Sequence, residues 1–134
     1  MELQIVNKKI AIQLKELGFN WKCNAYYKEE LYEQIKNEVY KDCCSNNFSQ
    51  YIDDISAPTQ ALVCKWFREK FQIYIQIEID MIVLNKELYN YVIFISNKNT
   101  KFGIQRRCKT TSYDTFEQAE EAGILKAIEI LKGK

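Results

Sequence analysis

From Ile73 the odd positions Ile73, Ile75, Ile77, Ile79, Met81 and Val83 are all apolar, and the even positions open with Gln72, Tyr74, Gln76, Glu78 and Asp80. Side chains alternate faces along a strand, so the pattern predicts a strand with one buried and one wet face, as in an antiparallel sheet. The stretch before it, from Ala57, has a different period. Leu62, Val63, Trp66 and Phe67 share one side of a helix, and Lys65 and Arg68 lie opposite. Ser56 or Ala57 is placed to cap that helix, with Pro58 in its first turn, where a missing N–H costs least.

The rest of the chain is built around this pair. Leu3, Val6, Ile10, Leu14 and Leu17 predict a first helix over 3–17, stopped by Gly18, with Lys15 in its last turn. Ala25, Tyr26 and Tyr27 predict a short strand. KEELYEQIKNEV fits a helix, with Leu31, Ile35 and Val39 four residues apart, and fits a strand as well, so this segment is a helix or an irregular hairpin. CCSNNFSQ has the composition of a loop. LYNYVIFIS at 88–96 and KFGIQRRCK at 101–109 are two more strands, with turns at 85–87 and 97–101. In the last strand Phe102, Ile104, Arg106 and Cys108 fall on one face and Gly103, Gln105, Arg107 and Lys109 on the other. A final helix begins near Asp114 or Thr115, where Asp114 and Glu117 have the spacing of a capping box. Its apolar side carries Phe116, Ala119, Gly123, Ala127, Ile130 and Leu131. Glycine in mid-helix costs about 1 kcal/mol against alanine, so Gly123 predicts close approach of another backbone.

The expectation is a single α+β domain over 1–134. An antiparallel sheet of three to five strands has three helices packed mainly on one face, in the order α-β-(α or β)-α-β-β-β-α.

Composition removes many chemistries. The chain has no histidine, which takes away the Ser-His and Cys-His nucleophile pairs and the commonest general base. Its four glycines form no phosphate-binding loop. Five irregularly spaced cysteines, with no CxxC, fit free thiols in a reducing compartment better than a disulfide scaffold or zinc site. The Cys43–Cys44 and Asp53–Asp54 pairs are the nearest approaches to a redox or metal site, and neither has a suitable third ligand. No catalytic residue, cofactor or metal is assigned, and a small enzyme using a lone cysteine or a carboxylate pair is the third reading, after the two given below. With no membrane-spanning run and no signal-peptide layout at the N-terminus, a cytoplasmic protein is expected.

Charge is uneven. The formal total is +1, yet 85–113 holds Lys86, Lys98, Lys101, Arg106, Arg107 and Lys109 against Glu87 alone, a local +5. Lys101, Arg106, Arg107 and Lys109 on a strand near aromatic residues are candidate nucleic-acid contacts. The competing explanation is a charged edge strand that resists aggregation.

Two resemblances bear on function. The helix, three strands and helix from Pro58 to Leu131 resemble the double-stranded-RNA-binding domain, TQALVCKWF matching its first helix and FEQAEEAGILKAIEIL its last. That family holds phosphates with a lysine cluster at the start of the last helix. Here Asp114, Glu117, Glu120 and Glu121 stand there instead. APTQALVCKWFREKFQIYIQIEI and YDTFEQAEEAGILKAIEIL, with AYY at 25–27, resemble a family of short uncharacterised proteins of gut Bacteroides-type bacteria and their phages. That resemblance implies a phage or mobile-element origin, favours extended structure after AYY, and assigns no functional residue. The expected function is a non-catalytic interaction protein binding a host or phage protein, or associating with itself. The alternative is a nucleic-acid binder using 101–109.

Overall fold

The computed structural model describes residues 4–28, 39–45, 54–96, 104–108 and 112–133, with backbone alone at 24, 28, 39–45, 54, 80, 81, 83 and 104–108. The elements are α1 (Lys8–Glu16), β1 (Cys23–Lys28), β2 (Val39–Ser45), β3 (Asp54–Ser56), α2 (Gln60–Phe71), β4 (Ile73–Val83), β5 (Lys86–Ser96), β6 (Ile104–Cys108) and α3 (Phe116–Lys132). The class is α+β, with three helices and antiparallel strand pairs. The described strands form two sheets, ordered β2-β1-β3 and β4-β5-β6. Two compact units result, Met1–Thr59 and Gln60–Lys134. The helices are divided between them, α1 in the first and α2 with α3 in the second, where one sheet carrying all three had been expected.

In the first unit α1 is shorter than its apolar stripe. Asn7 caps it, its Oδ1 accepting from the Ile10 N–H at 2.9 Å. Val6 therefore lies before the helix, donating to the Pro58 carbonyl at 3.0 Å and accepting from the Tyr27 hydroxyl at 2.7 Å. The helix ends where Gly18 predicted. Gly18 has φ +93°, its N–H bonds the Lys15 carbonyl, and the Phe19 N–H bonds that of Leu14. That reciprocal pair is a Schellman cap, which needs the left-handed residue that glycine supplies. Ile10, Ala11, Leu14, Phe19, Ala25 and Tyr27 are buried in this unit.

Two expectations near β3 change. Ser56 is not a helix cap but pairs with Tyr26 in the ladder, and the Ala57 N–H continues it to the Ala25 carbonyl at 2.9 Å. A residue before proline is pushed out of helical backbone, so the chain stays extended and α2 starts only at Gln60. Cys43, Cys44 and Ser45 lie in β2, not in a loop, because β2 completes the ladder on the other side of β1. Residues 29–38, the helix-or-hairpin segment, lie outside the described residues, as do Asp53 and 46–52.

In the second unit the described elements are α2, β4, β5, β6 and α3. Trp66 and Phe67 are buried, and each is worth about 1.5–3 kcal/mol when fully removed from water. They cluster with Phe71, ring centroids 5.1–6.3 Å apart, Trp66 meeting both phenyl rings edge-on and the two phenyl rings tilted to each other. A single residue, Gln72 at φ +55°, turns α2 into β4. Across β4 and β5 the register pairs Ile73 with Ile95, Ile75 with Ile93 and Ile77 with Tyr91. This odd-numbered face carries α3: a Cβ on Gly123 would stand 2.7 Å from Ile75 Cγ2 and 3.3 Å from Tyr91 Cβ. The close neighbours of Gly123 are thus side chains rather than the backbone expected.

The even face is only partly wet. Tyr74 and Gln76 are exposed, but Val92 is buried and Glu78 is half-buried. Val92 sits in the middle strand, with Gln76 and Cys108 as its register neighbours. Position in the central strand, not side-chain polarity alone, decides its burial.

Of the two positions expected to start α3, it is Thr115 rather than the capping-box Asp114 that caps the helix. Thr115 is the N-cap, its Oγ1 accepting from the Gln118 N–H at 3.1 Å. Asp114 instead pairs with Lys86 at 3.2 Å. No helix among the described residues is long and apolar enough to cross a membrane.

Candidate interaction surface

The basic strand is the surface the sequence nominates. Lys101 and Lys109 lie outside the described residues. Arg106 and Arg107 are in β6, in register with Phe94 and Ile93. Consecutive residues occupy opposite faces of a sheet. Arg107 is therefore on the face that carries α3 and Arg106 on the other.

A second surface is missed by the alternating pattern. The register of β4 slips between Ile79 and Met81, leaving Asp80 as an extra residue against β5. Such a bulge ends strict alternation and increases local twist. The apolar odd face expected to run on to Val83 is thus interrupted after Ile79. Beyond the slip the hairpin closes in two residues, Leu84 at φ +50° and Asn85 at φ +62°. Positive φ at both central positions is the type I′ geometry that suits tight hairpins. The turn is at 84–85, and Lys86 and Glu87 already belong to β5.

Asn85 suits this turn and Leu84 does not. A left-handed conformation costs an ordinary L-residue about 1–2 kcal/mol, and asparagine or glycine is the usual occupant. Leu84 is also 96% exposed, with Ile82 at 67% and Ile79 at 56%. Three large aliphatic side chains at a hairpin end gain little burial within the described structure. Backbone strain spent on an exposed apolar side chain is the kind of local inconsistency that marks functional positions.

A third feature lies beside α3. A cavity of about 820 Å³ is lined by Tyr91 and Tyr113 on the sheet side and by Gln118, Glu121, Ala122, Leu125, Lys126 and Glu129 along the helix. The segment after β6 shapes it: Tyr113 and Tyr89 exchange backbone hydrogen bonds at 2.7 and 2.8 Å, holding 113 beside β5. The Tyr91 and Tyr113 rings are 6.4 Å apart. Polar groups at the rim are tied by exposed ion pairs, Lys86–Asp114 at 3.2 Å and Lys126–Glu129 at 3.4 Å. Pairs of that kind contribute roughly 0–1 kcal/mol and exchange readily for other partners.

The described thiols are poor nucleophiles. Burial pushes the Cys64 thiol up to about 12, aided by the neighbouring Glu120 carboxylate. Burial also raises Cys23 to about 11, partly offset by a hydrogen bond with Ser56. Glu120 is itself raised, by burial first and then by Glu117. A reactive thiolate needs the opposite surroundings, exposed and electropositive. Among the described residues no group of three or more His, Cys, Asp or Glu side chains is placed to hold a metal ion. No family model, curated protein or solved structure matches the chain.

Proposed function

We propose that the chain is a non-catalytic interaction protein of phage or mobile-element type, acting in the cytoplasm by binding a host or phage protein through the β4–β5 hairpin end. The supporting observation is Leu84, an apolar residue in strained left-handed backbone with almost its whole side chain in water. Docking would bury Leu84, Ile82 and Ile79 together. Leu84, almost wholly in water, contributes about 1.5–3 kcal/mol when fully buried, and Ile82 and Ile79, already partly covered, contribute less. The resemblance of Pro58 to Leu131 to the double-stranded-RNA-binding domain does not favour that activity here, because Glu117 stands in the first turn of α3, where a phosphate backbone would be repelled.

The test is capture of partners from the bacterial host with the intact chain and with Leu84→Asn. Asparagine suits the turn, so the variant keeps the fold while removing the apolar anchor. A partner held by the intact chain and lost from the variant supports the assignment. Equal capture by both removes the hairpin end as the binding element.

A further inference from the structure

We infer that the open edge of β4 pairs with the same edge of a second copy of this chain, the two strands running antiparallel about a two-fold axis at Ile77. The inference goes beyond the hairpin-end reading and does not depend on it: Leu84 and Ile82 lie outside the pairing.

The backbone shows which groups are available. The sheet order is β4-β5-β6, so β4 is an edge among the described strands. Tyr89 and Tyr113 exchange both backbone hydrogen bonds, so Tyr89 turns its N–H and C=O away from β4. Bonding direction alternates along an antiparallel strand. Asn90, Val92 and Phe94 therefore turn theirs toward β4, as Ser96 does in donating to the Gln72 carbonyl at 3.0 Å. Their register partners Glu78, Gln76 and Tyr74 face β5, which directs the N–H and C=O of Ile73, Ile75, Ile77 and Ile79 outward. Among the described residues no backbone group bonds them from that side. Ile73 is buried, and the bulge follows Ile79. The regular, accessible edge is thus 74–79, with outward groups at Ile75, Ile77 and Ile79.

That edge is complementary to itself, which selects a second copy as the occupant. With Ile77 opposite Ile77 of the copy, Ile75 lies opposite Ile79 and Gln76 opposite Glu78, on both sides of the axis. Apolar residues meet on the α3 face, an amide meets a carboxylate on the other, and no like charges are opposed. A closed two-fold interface needs this match, because one patch serves both partners. All three outward residues are used, in about six backbone hydrogen bonds. Ile79, 56% exposed, is covered by Ile75 of the copy. Edge strands that stay unpaired are blunted by proline, lysine or short length. IYIQIEI at 73–79 has neither proline nor lysine. The opposite edge, β6, is five residues long and holds Arg106 and Arg107.

Sedimentation velocity of the full chain between about 1 µM and 1 mM follows the association, with circular dichroism to confirm that each variant is folded. The intact chain should pass from monomer to dimer across this range. Gln76 is exposed, so its charge can be changed without disturbing the core. Gln76→Glu sets carboxylates opposite each other on both sides of the axis and should weaken the dimer about fivefold, whereas Gln76→Lys should tighten it about fivefold. Added salt should shrink both changes. Ile77→Pro removes an outward N–H and no β4–β5 bond, and should leave monomer throughout. If that variant does not fold, the opposed pair at 76 decides. Leu84→Asn should dimerise as the intact chain does, which separates this edge from the hairpin end. A chain that stays monomeric overturns the inference. So does a dimer indifferent to the charge at 76, or one lost with Leu84→Asn.

Discussion

Replacing Gly123 by alanine tests the packing of the second unit at its tightest point. In an exposed helix interior this change stabilises by about 1 kcal/mol, because alanine has the higher helix propensity. Here the added methyl would stand 2.7 Å from Ile75 Cγ2 and 3.3 Å from Tyr91 Cβ. Ordinary carbon–carbon contact is roughly 3.5–4.0 Å, so the first distance is a true overlap. Ile75 cannot swing its γ-branch aside freely, since two heavy atoms on Cβ restrict χ1 and its backbone is fixed in β4. Overpacking of this sort costs about 1–3 kcal/mol. Set against the propensity gain, Gly123→Ala should lower stability by about 1 kcal/mol, read from the urea midpoint at an unchanged slope. Ile75→Ala removes the clashing atom. In that background Gly123→Ala should become stabilising, giving a coupling of at least about 1 kcal/mol in a double-mutant cycle. A gain of stability from Gly123→Ala alone, or additivity with Ile75→Ala, would refute the close approach of α3 to the sheet.

Further expectations concern caps, turn and thiols. Thr115→Ala should cost about 0.5–2 kcal/mol through loss of the N-cap, whereas Asp114→Ala should cost under about 1 kcal/mol because its ion pair is exposed; urea unfolding of the two variants compares them. Leu84→Asn should stabilise the chain by about 0.5–1 kcal/mol in the same assay, since it relieves left-handed strain at an exposed site. The Cys64 thiol is raised to about 12 by burial, so between the ordinary thiol value and that point the native state holds a proton that the unfolded chain has lost. Its contribution is complete below the unfolded value and declines as pH rises. Stability should therefore fall from about pH 9 upward, and less steeply in Cys64→Ala, when urea midpoints are followed between about pH 8 and 10.5.

How much was legible in the sequence follows the range of the interactions involved. The strand from Ile73 and the Gly18 stop were legible because each is set by neighbours within a few residues. Gly123 was recognisable as a tight approach for the same reason, although only the folded sheet shows that Ile75 and Tyr91 are what approaches. Pro58 was placed in the first turn of a helix because proline is tolerated there, but the same proline disfavours helix at Ala57, and pairing with β1, which is not local, keeps Ser56 and Ala57 extended. Cys43 and Cys44 looked like loop because β2 is held by pairing with β1, not by its own propensity. The bulge at Asp80 has no periodic signature, so the alternating pattern ran past the point where the register slips. Leu84 hid for a related reason: its oddity is a backbone angle, and a leucine before Asn-Lys-Glu looks like the end of an apolar run. The groove beside α3 joins Tyr91, Tyr113 and Leu125 from separate elements, a proximity only the tertiary structure supplies.

The most direct test of the central proposal compares the intact chain with Leu84→Asn and with Ile82→Glu in partner capture from the bacterial host, alongside circular dichroism and urea unfolding of each protein. The expected result is unchanged secondary structure, equal or higher stability for Leu84→Asn, and loss from both variants of a partner that the intact chain retains. Retention of the same partner by two folded variants would contradict it.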